Sequence, residues 1–170
     1  MKKPYRPPRE LLAEVEQILA RGYSPTDDSP LDQVAELLQE GRHYDWIGIL
    51  LVVGKSEEPA ADRGPQPAGS ENNSELVQPI KLAGRMLGLI DVESDRPNAF
   101  GPQDRVLLKQ VAERLARFLT GRGKYLMRKA REAAATAAAA ANAGSSERHQ
   151  PASERAAAPL AAAAGEKSRS

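Results

Sequence analysis

Apolar residues recur at intervals of three and four in three stretches of this chain, run almost unbroken in a fourth, and alternate with polar ones in a fifth. Leu11, Leu12, Val15, Ile18 and Leu19 form one helical stripe, preceded by Pro7 and Pro8 and ended by Gly22. Leu31, Val34, Leu37 and Leu38 form a second, with Ser29 as N-cap, Pro30 at the first helical position, Asp32 three residues past the cap and Gly41 as terminator. Leu108, Val111, Leu115, Phe118 and Leu119 form a third, opened by Pro102, with Asp104 in the first turn where its charge suits the helix dipole. The continuous run DWIGILLVVG reads as a strand covered on both faces, the central strand of a sheet. ELVQPIKLAGRMLGLIDVES reads as two strands joined around Ala83-Gly84-Arg85, and Pro79 confines the first of them to a sheet edge or a bulge. Residues 54–74 hold Pro, Gly, Asn and charge with no large apolar side chain, and a flexible loop is expected there. The whole is an α+β layout, with helices on one face of an antiparallel sheet.

The last strand raises a question of chemistry. In GLIDVESD, residues 88–95, strict alternation places Asp91 and Glu93 on the same face as Leu87 and Leu89, with Ile90 and Val92 on the other. Carboxylates are rarely buried without a partner. Either that face is open to water, with Lys81 or Arg85 pairing across the hairpin, or the acids meet a ligand there.

Composition sharpens the domain limits. Residues 1–119 carry 15 Lys and Arg against 19 Asp and Glu, and residues 120–170 carry 9 against 4, so an acidic body precedes a basic tail. The body, residues 5–120, is expected to be the domain. Residues 121–143, basic and then alanine-rich, read as a helix, and residues 144–170 as a disordered tail. Without a cysteine the chain has no disulfide, no thiolate metal site and no thiol nucleophile. No apolar run reaches transmembrane length, and MKKPYRPPRE lacks the apolar stretch of a signal peptide, so a cytoplasmic protein is expected.

At the hairpin the sequence resembles a known family. SELVQPIKLAGRMLGLIDVESDRPNAFGPQDRVLLKQVAERLARFL is similar to the C-terminal half of a GAF domain, through its last strand G-L-I-D-V-E-S, the aromatic of N-A-F, the acid opening the final helix and the V-A-x-x-L-A pattern. DWIGILLVV resembles that family's first strand. The resemblance implies a sensory or regulatory small-molecule module, usually dimeric. It also implies a shortened version, since only residues 54–74 stand where the family inserts further elements that roof its pocket. The SEL and IDVES stretches are similar to the free methionine sulfoxide reductase subfamily. That likeness implies Glu75, Asp91 and Glu93 as pocket residues, but the subfamily's chemistry needs cysteines.

These readings lead to a non-enzymatic sensory, regulatory or protein-interaction module. The alternatives are a ligand-binding domain with an acidic pocket for an amino-acid-like or nucleotide-like ligand, and a reductase relative that has lost catalysis. No cofactor, metal, nucleic acid or membrane partner is expected, although the basic cluster Arg122, Lys124, Arg128, Lys129 and Arg131 is of the kind that attracts phosphates. A homodimer is expected through the terminal helices, using Leu12, Leu107 and Arg114. His43, Tyr44 and Trp46 read as surface and strand-entrance residues.

Overall fold

In the computed structural model, which describes residues 4–66 and 73–146, the three apolar stripes are helices α1 (Pro8–Arg21), α2 (Pro30–Arg42) and α3 (Pro102–Thr120). The Ser29 hydroxyl accepts the Asp32 N–H and starts α2, as its sequence prescribes. Its end differs from expectation. Gly41 lies inside the helix, and His43 in the left-handed region, φ 58°, ends it. The lack of a side chain at Gly41 serves packing, because a Cβ there would stand 2.6 Å from Leu11 Cδ2 of α1.

The sheet holds β1 (Trp46–Val53), β2 (Ser56–Arg63), β3 (Ser74–Leu82) and β4 (Arg85–Ser94) in the order β2-β1-β4-β3, all antiparallel. The apolar run is a central strand as expected, and the strand with Pro79 is an edge. Ala83 at φ 49° and Gly84 at φ 78° form the two-residue turn between β3 and β4.

β2 corrects the expected loop over residues 54–74. SEEPAADR places one fully enclosed side chain, Ala61, under α2, and the strand is held by pairing to β1 rather than by its own apolar content. Pro59 lies in this edge strand next to a register shift, as Pro79 lies in the other. A second shift opposite Ile80 and Lys81 leaves Leu87 without a cross-strand partner. This bulge rotates Leu87 out of the alternation, so Leu87 is buried on the helix side and does not share a face with Asp91.

Ile47, Ile49 and Leu51 of β1, Ile90 and Val92 of β4, and Leu76 and Ile80 of β3 meet α2 and α3 in the core. α1 packs on α2 and α3, one layer further from the sheet. A buried ionic contact joins α2 to α3. Arg42 Nη2 and Nε lie 2.9 and 3.0 Å from Asp104 Oδ1, Tyr44 donates its hydroxyl to the same oxygen at 3.0 Å, and Asp104 Oδ2 accepts the Gly101 N–H. Burial and the adjacent Asp104 carboxylate push the Tyr44 hydroxyl well above the ordinary tyrosine range. Asp104 therefore does more than face the helix dipole.

Of the three side chains expected at a dimer contact, Leu12 and Leu107 are core residues and so closed to a partner, whereas Arg114, paired with Glu16 at 2.7 Å, borders a groove between α1 and α3. The basic segment and the alanines form α4 (Lys124–Ser146), whose Met127 and Ala130 join the core. The chain divides into two compact units, Met1–Ala135 and Thr136–Ser170. Of the tail expected to be disordered, residues 144–146 end α4 and the remainder lies outside the described residues.

Candidate functional site

Helices cover one face of the sheet, and on the other the strand register brings the three predicted acids together. Trp46, Glu93 and Glu75 stand in one cross-strand row, and Gly48, Asp91 and Val77 in the row beside it. Two carboxylates, Glu75 and Glu93, are thus direct cross-strand partners, an arrangement that costs stability. Asp91 is one strand repeat from both, about 7 Å along the chain direction.

Trp46 was expected to anchor the strand entrance, but its indole lies across the open face over Gly48. A Cβ on Gly48 would stand 2.4 Å from the ring carbon Cη2, so glycine is what permits the ring to lie flat there. Gly48 is the cross-strand partner of Asp91, and the ring therefore flanks this carboxylate and removes water from it. Asp91 is half-buried, and its Oδ1 is inaccessible and without a hydrogen-bond partner. Burial first, then the charges of Glu75, Glu93 and Glu57, raise its pKa from 3.8 to about 6. Of the two possibilities for this face, the one that leaves it wholly open to water does not hold at Asp91.

Neither Lys81 nor Arg85 reaches these acids, so the expected cross-hairpin pairing is absent among the described residues. Gln66, just beyond β2, places Nε2 at 3.5 Å from Glu93 Oε1 and borders the site. Val77, on the same face, is 43% exposed and adds apolar surface beside the acids. An indole face with three or four convergent carboxylates can hold an ammonium or guanidinium group by charge, hydrogen bonds and cation–π attraction. His43 has no part in it, since its ring packs edge-on against Tyr5 with centroids 4.8 Å apart.

The span from Gly48 in β1 to Leu119 in α3 matches the family model described as GAF domain, residues 48–119. Over that span the chain has a GAF-like fold. Its fold is similar to that of the free methionine-R-sulfoxide reductase of Neisseria meningitidis in complex with its substrate, at 22% identity and TM-score 0.58, over 76% of this chain and 99% of that one. It is also similar to the GAF domain of an Acinetobacter phosphoenolpyruvate-protein phosphotransferase, at 14% identity and TM-score 0.57, over 66% and 92%. The GAF domain of A. aeolicus nlh2 in an inactive state aligns at 13% identity and TM-score 0.53, over 66% and 95%. At these identities the likeness is one of fold. Comparison with curated proteins found no match. Among the described residues no helix is long and apolar enough to cross a membrane.

Proposed function

We propose that this GAF-like domain is a non-enzymatic regulatory module that binds a small cationic metabolite, an amine of amino-acid type, on its open sheet face. The carrying observation is Asp91. Its inaccessible, unpaired carboxylate oxygen stands among Glu75, Glu93 and Glu57 beside Trp46, so the free protein holds uncompensated negative charge that an ammonium group would neutralise. Glu75 and Glu93 would take the remaining ammonium protons, and the indole would cover the apolar part of the ligand. One neighbour by fold, the Neisseria reductase, is described with its substrate bound. Reductive chemistry of the kind implied for that subfamily needs thiols, and this sequence has no cysteine, which supports binding without turnover.

The test is a thermal-shift and calorimetric screen with L-methionine sulfoxide, L-methionine, L-leucine and their N-acetylated forms, which carry no cation. A ligand that binds only the folded state raises the melting temperature. Free amines are expected to stabilise the protein, N-acetylated ones not, and the E75Q/D91N/E93Q variant should lose the response. A flat screen would remove the ligand and leave a protein-interaction module. That second reading is favoured by a groove of about 440 Å³ between α1 and α3, where Arg117 and Arg122 border Leu19 and Phe118. Such a groove would serve a partner protein or a homodimer in cytoplasmic signalling, and light scattering of the parent against Arg117→Glu tests the homodimer directly.

A further inference from the structure

A second cavity, of about 280 Å³, lies on the helix side of the sheet, where the β3–β4 hairpin approaches the junction of α3 and α4. Lys124, Met127 and Arg131 stand at i, i+3 and i+7 and share one face of α4. Met127 is buried and lines the cavity with Leu119 of α3 and Leu87 of β4. Leu87 is available because the bulge turns it inward. Arg85, two residues earlier, lines the same cavity from the hairpin, and Thr120 from the end of α3. Three cations, one from the hairpin and two from α4, thus border an apolar floor.

No acid lines this cavity, and among the described residues none of Arg85, Lys124 and Arg131 forms an ion pair. Elsewhere in the domain Arg6, Arg42, Arg63 and Arg114 are each matched to a carboxylate. Like charges gathered over apolar surface repel one another more than charges spread over a convex surface, because water screens them less. An oxyanion of double charge would reverse that repulsion and accept hydrogen bonds from two guanidinium groups and an ammonium.

We propose that this cavity binds a phosphate monoester with a short apolar substituent, its phosphate held by Arg85, Lys124 and Arg131 and its apolar part resting on Leu87, Leu119 and Met127. The volume falls just below the range of small-molecule sites, roughly 300–1,000 Å³, which restricts the substituent to a short one. The site is separate from the acidic face and of opposite charge, so the two take different ligands.

The test titrates the ¹⁵N-labelled full chain with hexyl phosphate and with inorganic phosphate, following amide shifts and affinity. Variant R85Q/K124Q/R131Q is compared with R9Q/K55Q/R105Q, which removes the same charge from residues outside the cavity. Hexyl phosphate is expected to shift the amides of Leu87, Thr120 and Met127 and to bind about tenfold more weakly to the cavity variant, with the control within about twofold of the parent. Inorganic phosphate should bind about tenfold more weakly than hexyl phosphate for want of the apolar contact. Equal loss in the two variants would mean general charge attraction and overturn the site, as would equal affinity for the two phosphates. Phosphatidylcholine vesicles with and without phosphatidic acid separate the sources. Sedimentation with phosphatidic acid that the cavity variant alone loses, together with hexyl phosphate binding, identifies a lipid phosphate. Vesicle binding without hexyl phosphate binding overturns the cavity in favour of a basic membrane-facing surface.

Discussion

Replacing Asp91 by Asn removes the charge that the open face holds at greatest cost. A native-state pKa raised from 3.8 to about 6 means that the folded protein binds the proton more tightly than the unfolded chain. Stability is therefore lost as pH rises through the interval from about 4 to 6, and the deficit is complete above it. Two pKa units correspond to about 3 kcal/mol at 1.36 kcal/mol per unit. Asp91 is only half-buried and water screens its neighbours, so about 1–2 kcal/mol remains. D91N should be more stable than the parent by that amount at pH 7.5 and nearly equal to it at pH 4. Urea unfolding followed by circular dichroism at four pH values measures this, with the slopes compared to exclude a change in the denatured state. Circular dichroism is preferred because the single tryptophan, Trp46, lies at the mutated site. A variant no more stable than the parent at pH 7.5, or one whose advantage is the same at every pH, would refute the argument.

Three further substitutions test the fold that supports the two sites. Arg42→Met strands the Asp104 carboxylate in the core beside Tyr44 and should cost about 3–5 kcal/mol in urea unfolding, part of which R42M/D104N should restore. Ala61→Asp puts a charge under α2 and should cost about 2 kcal/mol or more, whereas in a flexible loop the same change would be silent in the same assay. Ala83→Asn converts the left-handed turn to Asn-Gly, the favoured pair for this geometry, and should raise stability by about 0.5–1 kcal/mol, a gain of a few degrees in thermal melting.

Much of this architecture was legible because the local and global signals agree. Ser29-Pro30 starts α2, the unbroken run of β1 marks a strand covered on both sides, and Ala83-Gly84 marks the hairpin. β2 was not legible, since Ala61 is its only fully enclosed side chain and its register comes from the free edge of β1. Asp91 and Glu93 could be read as sharing a face from their two-residue spacing, and Glu75 joined them through the family resemblance. The half-burial of Asp91 could not, because it depends on the indole of Trp46 lying over Gly48, a contact written in the absence of a side chain. The bulge at Leu87 was hidden for a similar reason, as an extra residue in one strand leaves the local apolar pattern unchanged while moving one side chain to the other face. Arg42 and Asp104 meet across 62 residues of chain, beyond any pattern of neighbours.

The two edge prolines, Pro59 in β2 and Pro79 in β3, bear on how copies of the domain can meet. An outer strand with a full row of free N–H groups is a template on which another chain can extend the sheet. Each margin here lacks a donor within its length, and each is also distorted by a register shift nearby. Runaway growth by strand addition is thereby discouraged at both ends, even when the protein is concentrated. Any assembly of this domain is left to side-chain surfaces, which can be formed and dissolved without risking a fibre.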